Sequence, residues 1–162
     1  MSCLPSPNNR ILTARCVFYG DLYGCGGENP QEPVTQLDDL IRCRKLFAYG
    51  ELVDHWDHPN CVAWLRRGDE EHDPSVTIIC NGKGEGTKKI EVGKDHAGEK
   101  WTDVLGWHQG EITIDEGEFA CVRTEFVVAD RTEGWAEFVS PPESVSIWTK
   151  TDARGRDEFK KD

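Results

Sequence analysis

The sequence predicts a mainly β protein, an antiparallel sandwich or barrel that follows one strand and one helix. After Gly50, short runs rich in β-branched and aromatic residues succeed one another, and turn-forming residues separate most of them. The Asn-Gly pair that opens NGKGEG (81–86) is a strong hairpin signal. The runs are CVAWL (61–65), SVTIIC (75–80), KKIEV (88–92), EITID (111–115), WAEFV (135–139) and SVSIW (144–148).

The first fifty residues have a different pattern. CVFYG (16–20) predicts a short buried strand closed by Gly20. Apolar residues at helical spacing predict a helix over 33–48 that stops at Gly50, with acidic residues in its first half and basic residues in its second. One strand and one helix cannot form a domain alone. The first fifty residues therefore predict an incomplete α/β segment that precedes a complete β module.

Composition and charge limit the classes of function. The chain has 162 residues and a formal net charge of −11, which argues against binding to nucleic acid or to an anionic membrane surface, because such binding needs a basic face. It has no run near the roughly 20 apolar residues of a membrane span. A neutral ligand such as a sugar remains compatible with this charge.

The seven cysteines are widely spaced and form no Cys-x-x-Cys. We interpret them as reduced thiols, and since no signal peptide is evident at the N-terminus, we expect a cytoplasmic protein. A zinc site from scattered Cys and His has no spacing signature here.

The stretch YGELVDHWDHPNCVAWLRRGDEEH (49–72) holds the densest cluster of chemically active side chains. Asp54, His55, Asp57 and His58 surround Trp56 within five positions. A hydrolase or a metal site uses carboxylates beside imidazoles, but a polar loop between two structured elements shows the same residues. The residues alone leave both interpretations open.

Seven stretches occur in an order that resembles a known enzyme family. They are CVFYGDLYG (16–24), RCRKLFAYGE (42–51), DHWDHPNCVAWLRRGDEEH (54–72), NGKGEG (81–86), VGKDHAGEKWTDVLG (92–106), EGWAEF (133–138) and SVSIW (144–148). Together they resemble the C-terminal third of a liquefying-type α-amylase of glycoside hydrolase family thirteen. The resemblance covers about residues 11–149.

This resemblance implies a domain organisation. Residues 1–51 would be a remnant of a (β/α)8 barrel, with its last strand at 16–20 and its last helix at 33–48. Residues 52–149 would form the C-terminal antiparallel Greek-key β-sandwich, with an insert at 117–132, and 150–162 a charged, frayed tail. The stretch at 49–72 then resembles the crossing from barrel to sandwich. Its junction residues would be Tyr49, Asp54, Trp56, Asp57 and His58. The polar side chains would hold the junction by hydrogen bonds, and Trp56 would pack there.

The resemblance also bears on cofactors and ligands. The family can hold calcium between barrel and sandwich, and its sandwich-side ligand positions correspond to Pro59, Asn60 and Asn81. Because asparagines stand at two positions where the family has aspartates, and amide oxygens make weaker calcium sites, we expect no cofactor in this chain. Of the six tryptophans, Trp64, Trp101, Trp135 and Trp148 resemble core positions, whereas we expect Trp107 to be exposed and available to a sugar.

The implied activity is hydrolysis of α-1,4-glucans such as starch or glycogen by a retaining glycosidase, which needs two carboxyl groups across the scissile bond. None of the family's catalytic motifs is present, so we expect the chain to be inactive alone. The alternatives are a free-standing carbohydrate-binding sandwich and a purely structural remnant.

Two departures from the family pattern matter. The chain begins near the end of the barrel, and the insert 117–132 splits a hairpin that is continuous in the family. The insert could form an extra strand or be translated sequence that does not belong, and we hypothesise an incomplete or mispredicted gene product. Residues 16–48, which a barrel would bury, are expected to be exposed and to promote self-association.

Overall fold

The computed structural model describes residues 17–116 and 133–159, and the chain divides into two compact units, 1–38 and 39–162. The predicted domain boundary at residue 51 differs from this division. Most of the predicted helix at 33–48 belongs to the second unit, which also contains the strands. The predictions for the insert 117–132 lie outside the described residues.

The described part of the first unit contains a short helix, α1 (Tyr19–Tyr23), and no strand at residues 17–20. The prediction of a strand over 16–20 is therefore wrong for the described residues. Among those residues no strand pairs with this segment, and its backbone bonds locally instead: the Gly24 N–H donates to the Gly20 carbonyl at 2.9 Å. A β ladder requires a neighbouring strand, so an apolar run without one does not form a strand.

Helix α2 (Leu37–Phe47) lies within the predicted range 33–48. It begins later than predicted because the Leu37 N–H donates to the Val34 carbonyl at 3.0 Å, which places a turn before it. In the second unit, its buried residues Cys43 and Phe47 pack in one cluster with Val104, Ile147 and Ala153. Burial of this apolar face attaches the helix to the outer face of the larger sheet.

Eight strands, all in antiparallel pairs, form the described part of the sandwich. The six-stranded sheet has the order β1-β2-β3-β8-β5-β6, and β4 pairs with β7 in a second sheet, so the chain crosses between the sheets after β3, β4, β6 and β7. The mainly β, antiparallel fold class is confirmed. The strands are β1 (Leu52–His58), β2 (Cys61–Arg66), β3 (Ser75–Cys80), β4 (Gly86–Glu91), β5 (Lys100–Asp103), β6 (Glu111–Thr113), β7 (Trp135–Ser140) and β8 (Ser144–Lys150).

The core lies between the two sheets. In β2 and β4, buried residues alternate with half-buried or exposed ones, so alternate residues of these strands face inward. Trp101, Phe138 and Trp148 are fully buried and meet edge to face, with ring centroids 5.7 Å apart for the first pair and 6.0 Å for Phe138 and Trp148. Edge-to-face contacts of this kind are favourable, so these rings fix the distance between the sheets.

The residues on either side of the insert pair with each other. The Asp115 N–H donates to the Trp135 carbonyl, and the Gly134 N–H donates to the Asp115 carbonyl, both at 2.8 Å. The stem that leads from β6 to β7 is therefore closed at Asp115 and Gly134, whatever length of chain joins them.

The prediction of a frayed tail from residue 150 is wrong for residues 150–159. Lys150 ends β8, Ala153 is buried, and a 3₁₀ turn follows at Arg156–Phe159. The Phe159 ring lies 6.3 Å from that of Phe47, and the Arg156 guanidinium donates to the Thr102 carbonyl at 3.4 Å. Residues 150–159 pack against the fold because apolar side chains lie among the charged ones. A prediction from the density of charged residues alone does not take these apolar side chains into account.

In the described ranges, no helix has the length and apolar character needed to cross a membrane.

Candidate functional site

The candidate site centres on residues 49–72, where the sequence concentrates carboxylates and imidazoles. Residues 52–58 form β1, an edge strand that pairs only with β2 in the sheet order. Its register with β2 is regular from Leu52 to His55 and shifts before His58. A bulge in an edge strand reorients the side chains that follow it, so the residues after His55 do not continue the inward-outward alternation.

Tyr49 closes the start of this stretch. Its ring stacks on that of His72, with centroids 3.4 Å apart and planes inclined by 8°. The Gly68 N–H donates to the Tyr49 carbonyl at 3.2 Å. Gly50 has φ +75°, and a Cβ there would collide with the Gly68 carbonyl oxygen. The two chain segments thus approach so closely that only glycine fits.

Asp69 organises the turn that carries His72. One carboxylate oxygen, Oδ1, accepts the backbone N–H groups of Glu71 at 3.0 Å and His72 at 2.9 Å, and lies 2.7 Å from the His72 Nδ1. The hydrogen bond with the His72 side chain lowers the pKa of the Asp69 carboxyl. This carboxylate is engaged in holding a turn, which is the arrangement of a structural aspartate.

Asp57 forms a salt bridge with Lys88 of β4. The Asp57 side chain is 75% exposed, whereas that of Lys88 is 7% exposed and lies on the inward face of its strand. The hydrogen bond from Lys88 lowers the pKa of Asp57. The pair joins the edge strand of one sheet to the other sheet.

The other predicted junction residues have different surroundings. Asp54 is half-buried, opposite Trp64 in the register of β1 and β2. Trp56 is 67% exposed, and its expected packing at a junction with a barrel stays a prediction. Trp56 lies within the irregular part of β1, where the bulge turns side chains away from the sheet.

The family's calcium positions lie together but offer weak ligands. The Asn81 N–H donates to the Asn60 carbonyl at 3.0 Å, and the Asn60 N–H donates to His58 Nδ1 at 3.1 Å. Pro59, Asn60 and Asn81 are all exposed. Calcium prefers several oxygens with negative charge, and here the two asparagine side chains are neutral amides. These three positions offer a calcium ion no charged ligand, and the expectation of no cofactor in this chain stays a prediction.

Nor do other side chains supply a metal centre within residues 17–116 and 133–159. No group of three or more His, Cys, Asp or Glu side chains in these ranges could hold a metal ion.

Trp107 lies in a loop organised by Asp103. It is 38% exposed, less than Trp56. Asp103 is buried and accepts four backbone N–H groups at 2.9 to 3.1 Å, those of Leu105, Trp107, His108 and Ile147. The loop that presents Trp107 is thus fixed to β8 through one carboxylate.

An open groove of about 460 Å³ is lined by residues of β4, β6 and β7, a feature that the sequence patterns did not indicate. Trp135 lines it with its indole half-buried, and the Lys89 ammonium lies 5.8 Å from the centre of that ring. The groove combines an aromatic wall with carboxylates. Its lining residues are Lys89, Thr113, Ile114, Asp115, Glu116, Trp135, Ala136 and Glu137. The sequence predicts Trp135 as a core residue, whereas its indole lines the groove. Strand periodicity does not distinguish a buried residue from one at the rim of a groove.

Comparison with known proteins finds relatives that match most of the chain. The chain is 36% identical over 139 residues to the α-amylase of Bacillus licheniformis, a match that covers 83% of this chain and 24% of that protein. It is 34% identical over 142 residues to the cytoplasmic α-amylase of Escherichia coli K12, which covers 82% of this chain and 25% of the relative. This chain is homologous to a segment of the α-amylases.

A third relative is the glucan 1,4-α-maltohexaosidase of Bacillus sp. strain 707, which is 34% identical to this chain over 134 residues. The match covers 82% of this chain and 23% of that protein. No family model matches the chain. A solved structure of AmyP in complex with maltotriose aligns over 74% of the chain and 20% of its own length, at 11% identity and a TM-score of 0.45. A score of this size does not by itself establish a shared fold.

The α-amylase segment spans about a quarter of the length of the relatives it matches. The family resemblance predicted from the ordered motifs is confirmed, and a C-terminal segment is consistent with this coverage. The stretch at 49–72 belongs to the homologous segment, and within it Asp57 and Asp69 form the structural contacts described above.

Proposed function

We propose that this chain is the non-catalytic part of an α-amylase-like glycoside hydrolase acting on α-1,4-glucans, and that hydrolysis requires carboxylates outside the chain. The observation that supports this most strongly is the extent of the match, which includes over four fifths of the chain but about a quarter of each relative.

The contacts of the acidic residues also support the proposal. Retaining glycosidases need two carboxyl groups about 5–5.5 Å apart that face one substrate bond, one of them free to give and take a proton. Asp57 pairs with Lys88, Asp69 with the turn at His72, and Asp103 with four backbone N–H groups. Each of these carboxylates is occupied in holding the fold.

Release of reducing ends from labelled maltoheptaose by the purified chain tests this proposal. We expect no product above the buffer control. Product that forms with the folded chain and is lost in D115N, E116Q or E137Q variants would contradict the proposal, because those carboxylates line the groove. E70Q, which alters an exposed glutamate outside this lining, is the matched control.

A second candidate function is glucan binding without hydrolysis, and the groove beside Trp135 favours it. Sugars bind proteins through an aromatic face and nearby hydrogen-bonding groups, and the groove offers an indole with Lys89, Glu116 and Glu137 around it. Titration calorimetry with maltoheptaose should show heat that W135A abolishes and W107A and W56A leave unchanged. If W107A alone abolishes binding, the sugar site is instead the loop at 104–110.

Two further features of the chain belong to this proposal. We propose a cytoplasmic location, which is supported by the four free thiols of the described residues, Cys25, Cys43, Cys61 and Cys80. We also propose self-association through residues 16–48, which is supported by the exposure of Val17, Phe18, Tyr19, Tyr23 and Val34.

A further inference from the structure

Two cysteines occupy directly opposed positions at one end of the large sheet. Cys61 is the first residue of β2, Cys80 is the last residue of β3, and the two are partners in the antiparallel register. Both are free, and both are buried, at 6% and 3% exposure. Neither contributes to the site or the groove described above, so their juxtaposition has no role in the proposed function.

The hydrogen-bond pattern shows which type of pair they form. The Asn81 N–H donates to the Asn60 carbonyl, so residues 60 and 81 occupy a hydrogen-bonded position of the ladder. The next pair, Cys61 and Cys80, is then a non-hydrogen-bonded pair, in which Cα atoms are about 4.5 Å apart and side chains are closest. That separation lies within the range of protein disulfides, about 4.4–6.8 Å.

The side chains of this pair point to the same place. The Cys61 Sγ lies 2.7 Å, and the Cys80 Sγ 3.0 Å, from the point where a Cβ on Gly86 would stand. The two sulfurs therefore share the space that glycine leaves open at the start of β4. Any other residue at position 86 would displace them.

We propose that Cys61 and Cys80 are a modification site, a thiol pair that a small-molecule disulfide such as oxidised glutathione converts into an intramolecular disulfide across β2 and β3. In a reducing compartment the pair stays as thiols, and under oxidising conditions it closes.

The exchange balances in two steps. The sulfur of one cysteine attacks oxidised glutathione, a mixed disulfide forms, and one glutathione leaves as its thiol with the proton of that cysteine. The second cysteine then attacks the mixed disulfide and releases the second glutathione with its own proton. The chain loses two hydrogen atoms and the glutathione disulfide gains them.

The surroundings predict slow formation. Burial raises the pKa of the Cys61 thiol, and the Cys80 Sγ–H lies 3.4 Å from the Gly84 carbonyl that accepts it. The turn at 81–85 therefore has to open before glutathione reaches either sulfur. Exposed Cys25 should form a mixed disulfide first, but it has no opposed cysteine among the described residues.

The test uses a variant that retains only this pair, C3S/C16S/C25S/C43A/C121S, and the same variant with C61A added as its matched control. After incubation with oxidised glutathione, we expect the loss of two hydrogen atoms by mass spectrometry, a cross-linked peptide that joins residues 61 and 80, and protection of both cysteines from alkylation after unfolding in denaturant without reductant. The Tm should rise by about 5 °C or more, and dithiothreitol should reverse the change.

Either of two results would overturn the proposal: both thiols react with an alkylating agent once the oxidised protein is unfolded in denaturant without reductant, or only mixed disulfides with glutathione form. If the five-fold variant does not fold, peptide mapping of the oxidised natural chain gives the same decision. In the natural chain, a cross-link between residues 61 and 80 supports the proposed disulfide. Disulfides among the other cysteines, found while Cys61 and Cys80 are still reduced, exclude it.

Discussion

The ammonium group of Lys88, on the inward face of β4, forms a salt bridge with the exposed carboxylate of Asp57 at the edge strand β1. The lysine is almost wholly buried, so Asp57 is the group that compensates for its charge. A buried cation without a partner is costly, while an apolar residue of similar length in its place is often harmless. Loss of the Asp57 carboxylate should therefore destabilise the fold more than replacement of Lys88 by an apolar residue.

Substitutions at this pair should show the inequality. We expect D57N to lower the Tm, K88M to leave it unchanged or raise it, and K88M/D57N to resemble K88M. Thermal unfolding followed by circular dichroism measures all four proteins in one buffer. Equal Tm values for D57N and the unchanged chain would show that the salt bridge has no part in holding the sheets together.

The same pair predicts a dependence of stability on pH. Because Lys88 lowers the pKa of Asp57 in the folded state, the carboxylate stabilises the fold above its unfolded pKa of about 3.9, and this contribution is lost as the pH falls through the folded pKa. Between about pH 5 and pH 3, the Tm of K88M/D57N should fall less than that of the unchanged chain. Because Asp57 is exposed, we expect salt to reduce the difference. Identical pH profiles would contradict the assignment.

Asp103 is the carboxylate whose loss should cost most. It is buried and accepts four backbone N–H groups from the loop at 104–108 and from β8. D103A leaves these donors unsatisfied and should reduce the free energy of unfolding by about 3 kcal/mol or more, with a smaller loss in D103N. Urea denaturation measures both. D95N, on the surface, should change the value by less than about 0.5 kcal/mol, and an equal effect of D103A and D95N would refute the role of Asp103.

Two glycines with similar backbone angles provide a matched pair. Gly50 and Gly106 have φ of +75° and +69°, but a Cβ on Gly50 would collide with the Gly68 carbonyl, whereas one on Gly106 would meet nothing within 4 Å. G106A should cost roughly 1–2 kcal/mol, the penalty of the left-handed conformation alone. G50A should cost clearly more, since backbone has to move. Equal urea midpoints for the two variants would show that the approach of residues 50 and 68 is not tight.

The apolar residues before α2 predict association. Phe18 and Tyr19 are each 74% exposed, and Tyr23 is 68% exposed. An F18S/Y19S/Y23S variant should therefore elute as a smaller species than the unchanged chain in size-exclusion chromatography with light scattering. The control V62S alters a half-buried residue of β2 instead. A monomeric unchanged chain at high micromolar concentration would contradict the proposal of self-association through 16–48.

Much of the β module could be predicted from sequence because its strands alternate. The runs at 61–65 and 75–80 became β2 and β3, where inward and outward residues differ in polarity. Strand β1 was not predicted from periodicity, because LVDHWDH places polar residues on an edge strand whose bulge breaks the alternation.

The errors came from properties that depend on neighbours rather than on local pattern. CVFYG has the residues of a strand, but a strand also needs a partner, and the described residues at 17–20 have none. The charged segment after Lys150 docks because Ala153 and Phe159 find apolar partners far away in sequence. The groove at Trp135 and the salt bridge of Lys88 likewise join residues distant in the chain, so no spacing rule could have located them.

The most direct test of the proposed function is a chimaera in which this chain replaces the matching segment of the Bacillus licheniformis α-amylase. If the chain is the non-catalytic part of such an enzyme, the chimaera should hydrolyse starch, the relative without its matching segment should be inactive or insoluble, and D103A in the chimaera should reduce activity in parallel with its Tm. A soluble, folded chimaera that is no more active than the truncated relative would contradict the account.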